Sequence, residues 1–244
     1  MRAPSQKLVP DHITISLDGE QLQIRLRRNA RAKRYVLRLP VNENIPTLTI
    51  PRGGTLATAK EFAQKQSAWL QKKLQSQPEI VPLIPNSEVP LRGQLHMLKP
   101  SGALRGKVTT GLCEHNKPLL LVPGDSAAFS RRVKDFFKQE ATGDIEKTIH
   151  YYGNKMQCMP RKFSLRDTKS RWGSCSAHKD LSFSWRLILA PPFVLEYVVA
   201  HEMAHLVHMN HSDSFWQLCH WLEPDTTNAQ KWLKMNGSKL HLIA

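Results

Sequence analysis

Between His201 and His211 the chain reads HEMAHLVHMNH, four histidines and a glutamate in one short run. On an α-helix, positions four apart differ by only about 40° around the axis and about 6 Å along it, so the imidazoles of His201 and His205 can converge on one metal ion. Glu202 is turned about 100° from His201; it is badly placed to be a ligand but well placed to reach a water at the ion, the position of a general base. A random shuffle of this composition yields the HExxH pattern in only about 2% of cases. Hydrolytic zinc sites take three protein ligands and leave a fourth position open. His211, six residues after His205, is the expected third ligand at the spacing of HExxHxxGxxH sites. His208 occupies the glycine position of that pattern, so Asn210, which tolerates left-handed backbone, is expected to turn the chain back instead. Two alternatives for the third ligand stay open: His208, about 10 Å along the helix from His201, and Glu223, delivered by a following helix.

The elements that must hold these residues are read from periodicity. Residues 12–50 alternate as antiparallel strands, with ITISL and QLQIRL joined at Asp18-Gly19 and followed by YVLRL and TLTI. Thr58-Ala-Lys-Glu61 resembles a capping box opening a helix through Phe62, Gln66, Trp69, Leu70 and Leu74. Four prolines between Gln77 and Pro90 mark a connector, and QLHML and PLLLV are expected strands. Val133, Phe136, Phe137, Ile145 and Ile149 fall at helical spacing interrupted by Gly143. KFSLRD and DLSFSWRLILA are expected strands enclosing a loop at RWGSCS, and Pro191-Pro192 suits the first turn of the helix bearing His201. The predicted fold class is α+β. An amino-terminal antiparallel β-rich region with a helix (1–125) precedes a metal-dependent hydrolase domain (126–244).

RWGSCS at 171–176, together with WRLILAPPFVLEYVVAHEMAHLVHMNHSDSFW from Trp185 to Trp216, closely resembles the YgjP-like metallopeptidase domain family, related to the wider zincin peptidases. The resemblance is strong over the carboxy-terminal half and weaker before it. It implies a zincin-like α+β domain holding Zn2+ through His201, His205 and His211, with Glu202 catalytic. Within RWGSCS, Arg171 and Ser174 are candidate contacts for substrate or a developing oxyanion, as is His208. Arg186 and Tyr197 are further oxyanion candidates. Cys175 is expected to be a buried thiol, since a fourth protein ligand would close the site.

The chain has 244 residues, enough to bury a core without disulfides or a structural metal. Cys113, Cys158, Cys175 and Cys219 form no Cys-x-x-Cys pair, which fits reduced thiols. MRAPSQKLVPDH lacks the apolar core of a secretory signal, and Leu187–Ala200, broken by Pro191, Pro192 and Glu196, is too short to cross about 30 Å of hydrocarbon. A cytoplasmic protein without a membrane span is therefore expected. Lys and Arg number 35 against 20 Asp and Glu, a formal charge of +15, densest at Arg25, Arg27, Arg28, Arg31, Lys33, Arg34 and Arg38. That surplus would attract phosphate-rich partners. Three functions are consistent with these features. They are a zinc-dependent metallopeptidase acting on protein or peptide, a metal-dependent nucleoside triphosphate pyrophosphohydrolase, and a nucleic-acid-associated protein with a recruited metal domain. The peptidase reading leads, because HExxH suits carbonyl attack and no carboxylate cluster for a second ion is evident.

Overall fold

The computed structural model describes residues 11–17, 19–40, 45–75, 80–168 and 171–244. Two compact units divide the chain, Met1–Glu79 and Ile80–Ala244.

In the first unit β1 (His12–Leu17) and β2 (Glu20–Arg28) form an antiparallel pair. Gly19 lies between them with φ +88°, while Asp18 of the expected turn lies outside the described residues. β4 (Thr47–Ile50) then pairs parallel to β2, and β3 (Val36–Arg38) antiparallel to β4, giving the order β1-β2-β4-β3. The region is thus mixed rather than wholly antiparallel. Alternation along the strands sends Ile15, Ile24, Leu48 and Ile50 to one face, where they are buried with Ala59, Ala63 and Leu70 of two helices. Those helices are α1 (Leu56–Lys65) and α2 (Ser67–Gln75). The single helix expected from Thr58 is therefore two, and its cap is Thr55, whose hydroxyl accepts from Thr58 N at 3.1 Å.

The second unit opens on residues of the expected connector. Residues 77–79 of it lie outside the described residues, but Glu88–Leu91 is a strand, β5. Pro90 is tolerated there because β5 is an edge strand of its four-stranded sheet. β6 (Gln94–Pro100) and β8 (Pro118–Val122) are the expected QLHML and PLLLV strands, and β7 (Thr109–Leu112) lies at the far edge. α3 (Phe129–Met156) runs unbroken through Gly143, where the expected interruption does not occur. Leu98, Leu120 and Val122 share one core with Val133, Phe137 and Ile145 of α3 and with Val194, Val198 and Ala200. At the β5–β6 turn Arg92 donates to Asp144 and Glu140 of α3, each at 2.8 Å. Val81 and Leu83 hydrogen-bond with Leu242 and Ala244 at the other end of the chain. These contacts tie residues 80–125 to residues 126–244, so the division falls at residue 79 and not near 125, where only the pattern of elements changes.

The chain continues through β9 (Lys162–Arg166), β10 (Gly173–Cys175) and β11 (Asp180–Ser184), a small sheet in the order β10-β11-β9. GSC is thus a strand, not a loop, and Trp185–Leu189 is a short 3-10 helix rather than an extension of β11. Three helices complete the unit: α4 (Pro192–Ala204), α5 (Asp213–Leu222) and α6 (Thr226–Leu240). The α+β class stands. Among the described residues no helix is long and apolar enough to cross a membrane.

Candidate metal centre

α4 begins at Pro192, whose fixed φ and missing N–H suit the first helical position. It is buried almost all round, with Val194, Leu195, Val198, Val199, Ala200, Met203 and Ala204 in the core, so its register is set by packing on every side. His201 and His205 project from one face at its carboxy-terminal end. The helix stops at Ala204, and Leu206 N and Val207 N bond the carbonyls of Met203 and Ala204, tightening the last turn to 3-10. That turn replaces the glycine of the related pattern, and Asn210 is not among the residues with positive φ, so the expected left-handed turn there does not form. The chain then returns through His211 into α5, whose Ser212 cap accepts from Phe215 N.

The result is a cluster of three imidazoles. Ring centroids lie 5.0 Å apart for His201 and His205, 5.0 Å for His201 and His211, and 4.8 Å for His205 and His211. One nitrogen from each ring lies within 4.8 Å of the others, and the Nε2 atoms of His201 and His211 stand 3.1 Å apart. Tetrahedral ligands about 2.05 Å from a metal ion stand roughly 3.3 Å from one another, a separation that the His201–His211 pair approaches, and three clustered imidazoles are a donor set that could hold a metal ion. His205 Nδ1 meets the His208 carbonyl at 2.9 Å; a carbonyl only accepts, so Nδ1 carries the proton and Nε2 is left with a free lone pair. Burial, then the neighbouring His205 and His211, push His201 down to about 4, and burial also lowers His205. Both shifts favour the neutral, ligating form at neutral pH.

Hydrocarbon walls the cluster. Phe215 is buried, with its ring centroid 4.9, 4.5 and 4.7 Å from those of His201, His205 and His211. Tyr197 and Trp216 meet the His201 ring at 5.9 and 5.8 Å. Among the described residues His201 Nδ1 has no hydrogen-bond partner, so that edge of the ring is held by packing. Neither Phe215 nor Trp216 was selected from sequence. Phe215, Cys219 and Leu222 do share one face of a helix, the only signal that Phe215 points inward.

Glu202 is 6% exposed. Burial lifts its carboxyl to about 7, opposed in part by the Arg171 guanidinium. Gly173 of β10 makes room for it: a Cβ at that position would lie 2.6 Å from Glu202 Cγ and Oε1. Arg171 is thus an exposed cation whose charge Glu202 feels. Ser174 is not brought to it. Its hydroxyl pairs with Ser182 at 2.8 Å on the face of β10 opposite Gly173, because successive strand residues point to opposite sides. His208 contributes its backbone carbonyl and lies beyond the end of α4, so it does not share a helical face with His201. Glu223 accepts from Tyr152 Oη at 2.8 Å and from Asp225 N, away from the histidines. Arg186 is buried in an ion pair with Asp167 and stacked over Trp185, which removes it from the oxyanion candidates. The Tyr197 hydroxyl accepts from Gln230 Nε2. Cys175 is a half-buried free thiol raised by burial and then by Glu202.

No curated protein and no solved structure matches the chain. A model of the YgjP-like metallopeptidase domain matches residues 33–236, which include the histidine cluster, Glu202 and Arg171. With most of its length covered by that match, the chain belongs to the YgjP-like metallopeptidase domain family.

Proposed function

We propose that this protein is a zinc-dependent metallopeptidase that hydrolyses peptide bonds in protein or peptide substrates, with His201, His205 and His211 as ligands and Glu202 as general base. The observation that carries the reading is the convergence of three imidazole nitrogens beside a buried carboxyl, in a chain whose family is a metallopeptidase one. When bound, the ion supplies Lewis acidity, which polarises a carbonyl and makes water a better nucleophile at neutral pH.

The chain's own residues do the rest. Glu202 takes a proton from the attacking water at a carboxylate oxygen and returns it to the leaving amine. A carboxyl near 7 suits both transfers, because neither protonation state is strongly preferred at working pH, and any cation held at the histidines favours the ionised, accepting form. Gly173 lets β10 lie against that carboxyl and limits where it can swing. Arg171 offers positive charge toward a developing oxyanion. Phe215 keeps water from the ring edges and fixes the imidazoles by packing.

The test compares two substrates, an unfolded protein and a nucleoside triphosphate, each with zinc present and after chelation. Zinc-dependent appearance of new amino termini without pyrophosphate release is the expected result. Pyrophosphate release with no peptide cleavage would replace this reading by the phosphohydrolase one.

A further inference from the structure

A cleft of about 640 Å³ opens in the second unit between α3 and the first turns of α4, a volume within the range of ligand pockets. Glu196, on its wall, is turned about 140° from His201 and about 180° from His205 around the helix axis, so the cleft lies on the side of α4 away from the histidines. Buried Leu187, Ile188, Leu195 and Leu222 give it an apolar floor. Asp144, Glu196 and Glu223 line the walls beside Arg92, Lys147 and Lys155.

Most of these charged groups are already engaged. Asp144 accepts from Arg92 at both oxygens, and Arg92 donates to Glu140 as well. Glu223 accepts from Tyr152 at one oxygen and from Asp225 N at the other. Lys155 donates to the Trp221 carbonyl at 2.6 Å and stands 4.4 Å over the Trp221 ring. Glu196 differs. Among the described residues its carboxylate accepts no hydrogen bond, and no ion pair joins it to Lys147. Burial, then Glu223 and Asp144, raise its carboxyl against a smaller pull from Lys147. A half-buried anion that faces two like charges is costly until a cation joins it.

The geometry selects among cations. Among the described residues only the three histidines bring three donor atoms within coordinating reach of one another, so these carboxylates do not form a seat for a divalent ion. A lysine or arginine side chain matches both parts of the cleft, with its methylenes on the apolar floor and its charged head at Glu196. We propose that the cleft binds a lysine or arginine side chain of an extended protein segment, with Glu196 as the acceptor. The site shares α4 with the metal centre but none of its residues, and it does not rest on the peptidase reading.

The test is calorimetric titration of the full-length protein with an acetylated, amidated nonapeptide that carries one arginine between two leucines in a glycine–serine background. Wild-type protein binds it saturably. The same peptide with citrulline for arginine, which keeps the shape and loses the charge, binds at least about tenfold more weakly. The formal charge of +15 opposes a basic peptide on the molecule as a whole, so undirected attraction cannot imitate that preference. E196Q loses the same factor toward the arginine peptide and treats the two peptides alike. K147A, which removes a competing cation, binds the arginine peptide about two- to fivefold more tightly, and with the citrulline comparison it keeps the test if E196Q melts early. Chelation of zinc changes none of these affinities. Equal affinity for the two peptides overturns the proposal, as does wild-type binding of the arginine peptide by E196Q. So does loss of binding on chelation, which would place the peptide at the metal centre, or free arginine binding as tightly as the peptide, which would make the cleft a small-molecule site.

Discussion

Each residue of the metal centre has a separable job. His205→Ala removes a proposed ligand, the ring that the His208 carbonyl orients, so zinc content measured by elemental analysis should fall from about one ion per chain to near zero. Gly173→Ala should behave differently. Its new Cβ, 2.6 Å from Glu202 Cγ and Oε1, forces the carboxylate aside, and we expect kcat to drop at least about tenfold while zinc content holds. His201, His205 and Glu202 were legible in sequence because helical spacing nearly determines their geometry, whereas His211 was read from a motif spacing and reaches the cluster by a turn other than the expected one. Gly173 and Phe215 were not, since their role arises only where β10 and α5 close against α4. Ser174 was misplaced for a related reason: its strand was read as a loop, and only strand alternation shows which way its hydroxyl points.

At the scale of elements, the site depends on how α4 ends and α5 begins. Ser212→Ala deletes the cap on Phe215 N and should cost about 1 kcal/mol of stability in urea titration, with weaker zinc binding because His211 sits at the same junction. Ser212→Asp should restore both, as aspartate caps equally well. The start of α4 was legible from Pro191-Pro192. Its end was not, because a 3-10 turn at Met203–Val207 does the work expected of a left-handed residue and carries no residue signature. α3 likewise passes through Gly143. A helical glycine costs about 1 kcal/mol, and a helix buried at Phe137, Ala141, Ile145 and Ile149 outweighs that.

For the whole molecule, the division at residue 79 makes a sharp prediction. A fragment of residues 80–244 should fold and bind zinc, whereas 126–244 should not fold stably, because it lacks Leu83, Val89, Leu91, Leu98, Leu120 and Val122 of the shared core and the Arg92 anchor on α3. Thermal melts with and without chelator check both fragments. In the longer one, zinc at about 100 times its Kd should add about 2.7 kcal/mol. The sequence boundary near 125 followed the change from strands to helices, but shared burial, not element type, decides where a folding unit ends. The proposed catalysis depends on Glu202 acting as a base beside a metal held by three histidines. The most direct measurement is the rate of unfolded-protein cleavage by Glu202→Gln beside wild type, both loaded with zinc to equal content. Cleavage slower by about 10²-fold or more is predicted; a variant that cleaves as fast as wild type would contradict that mechanism.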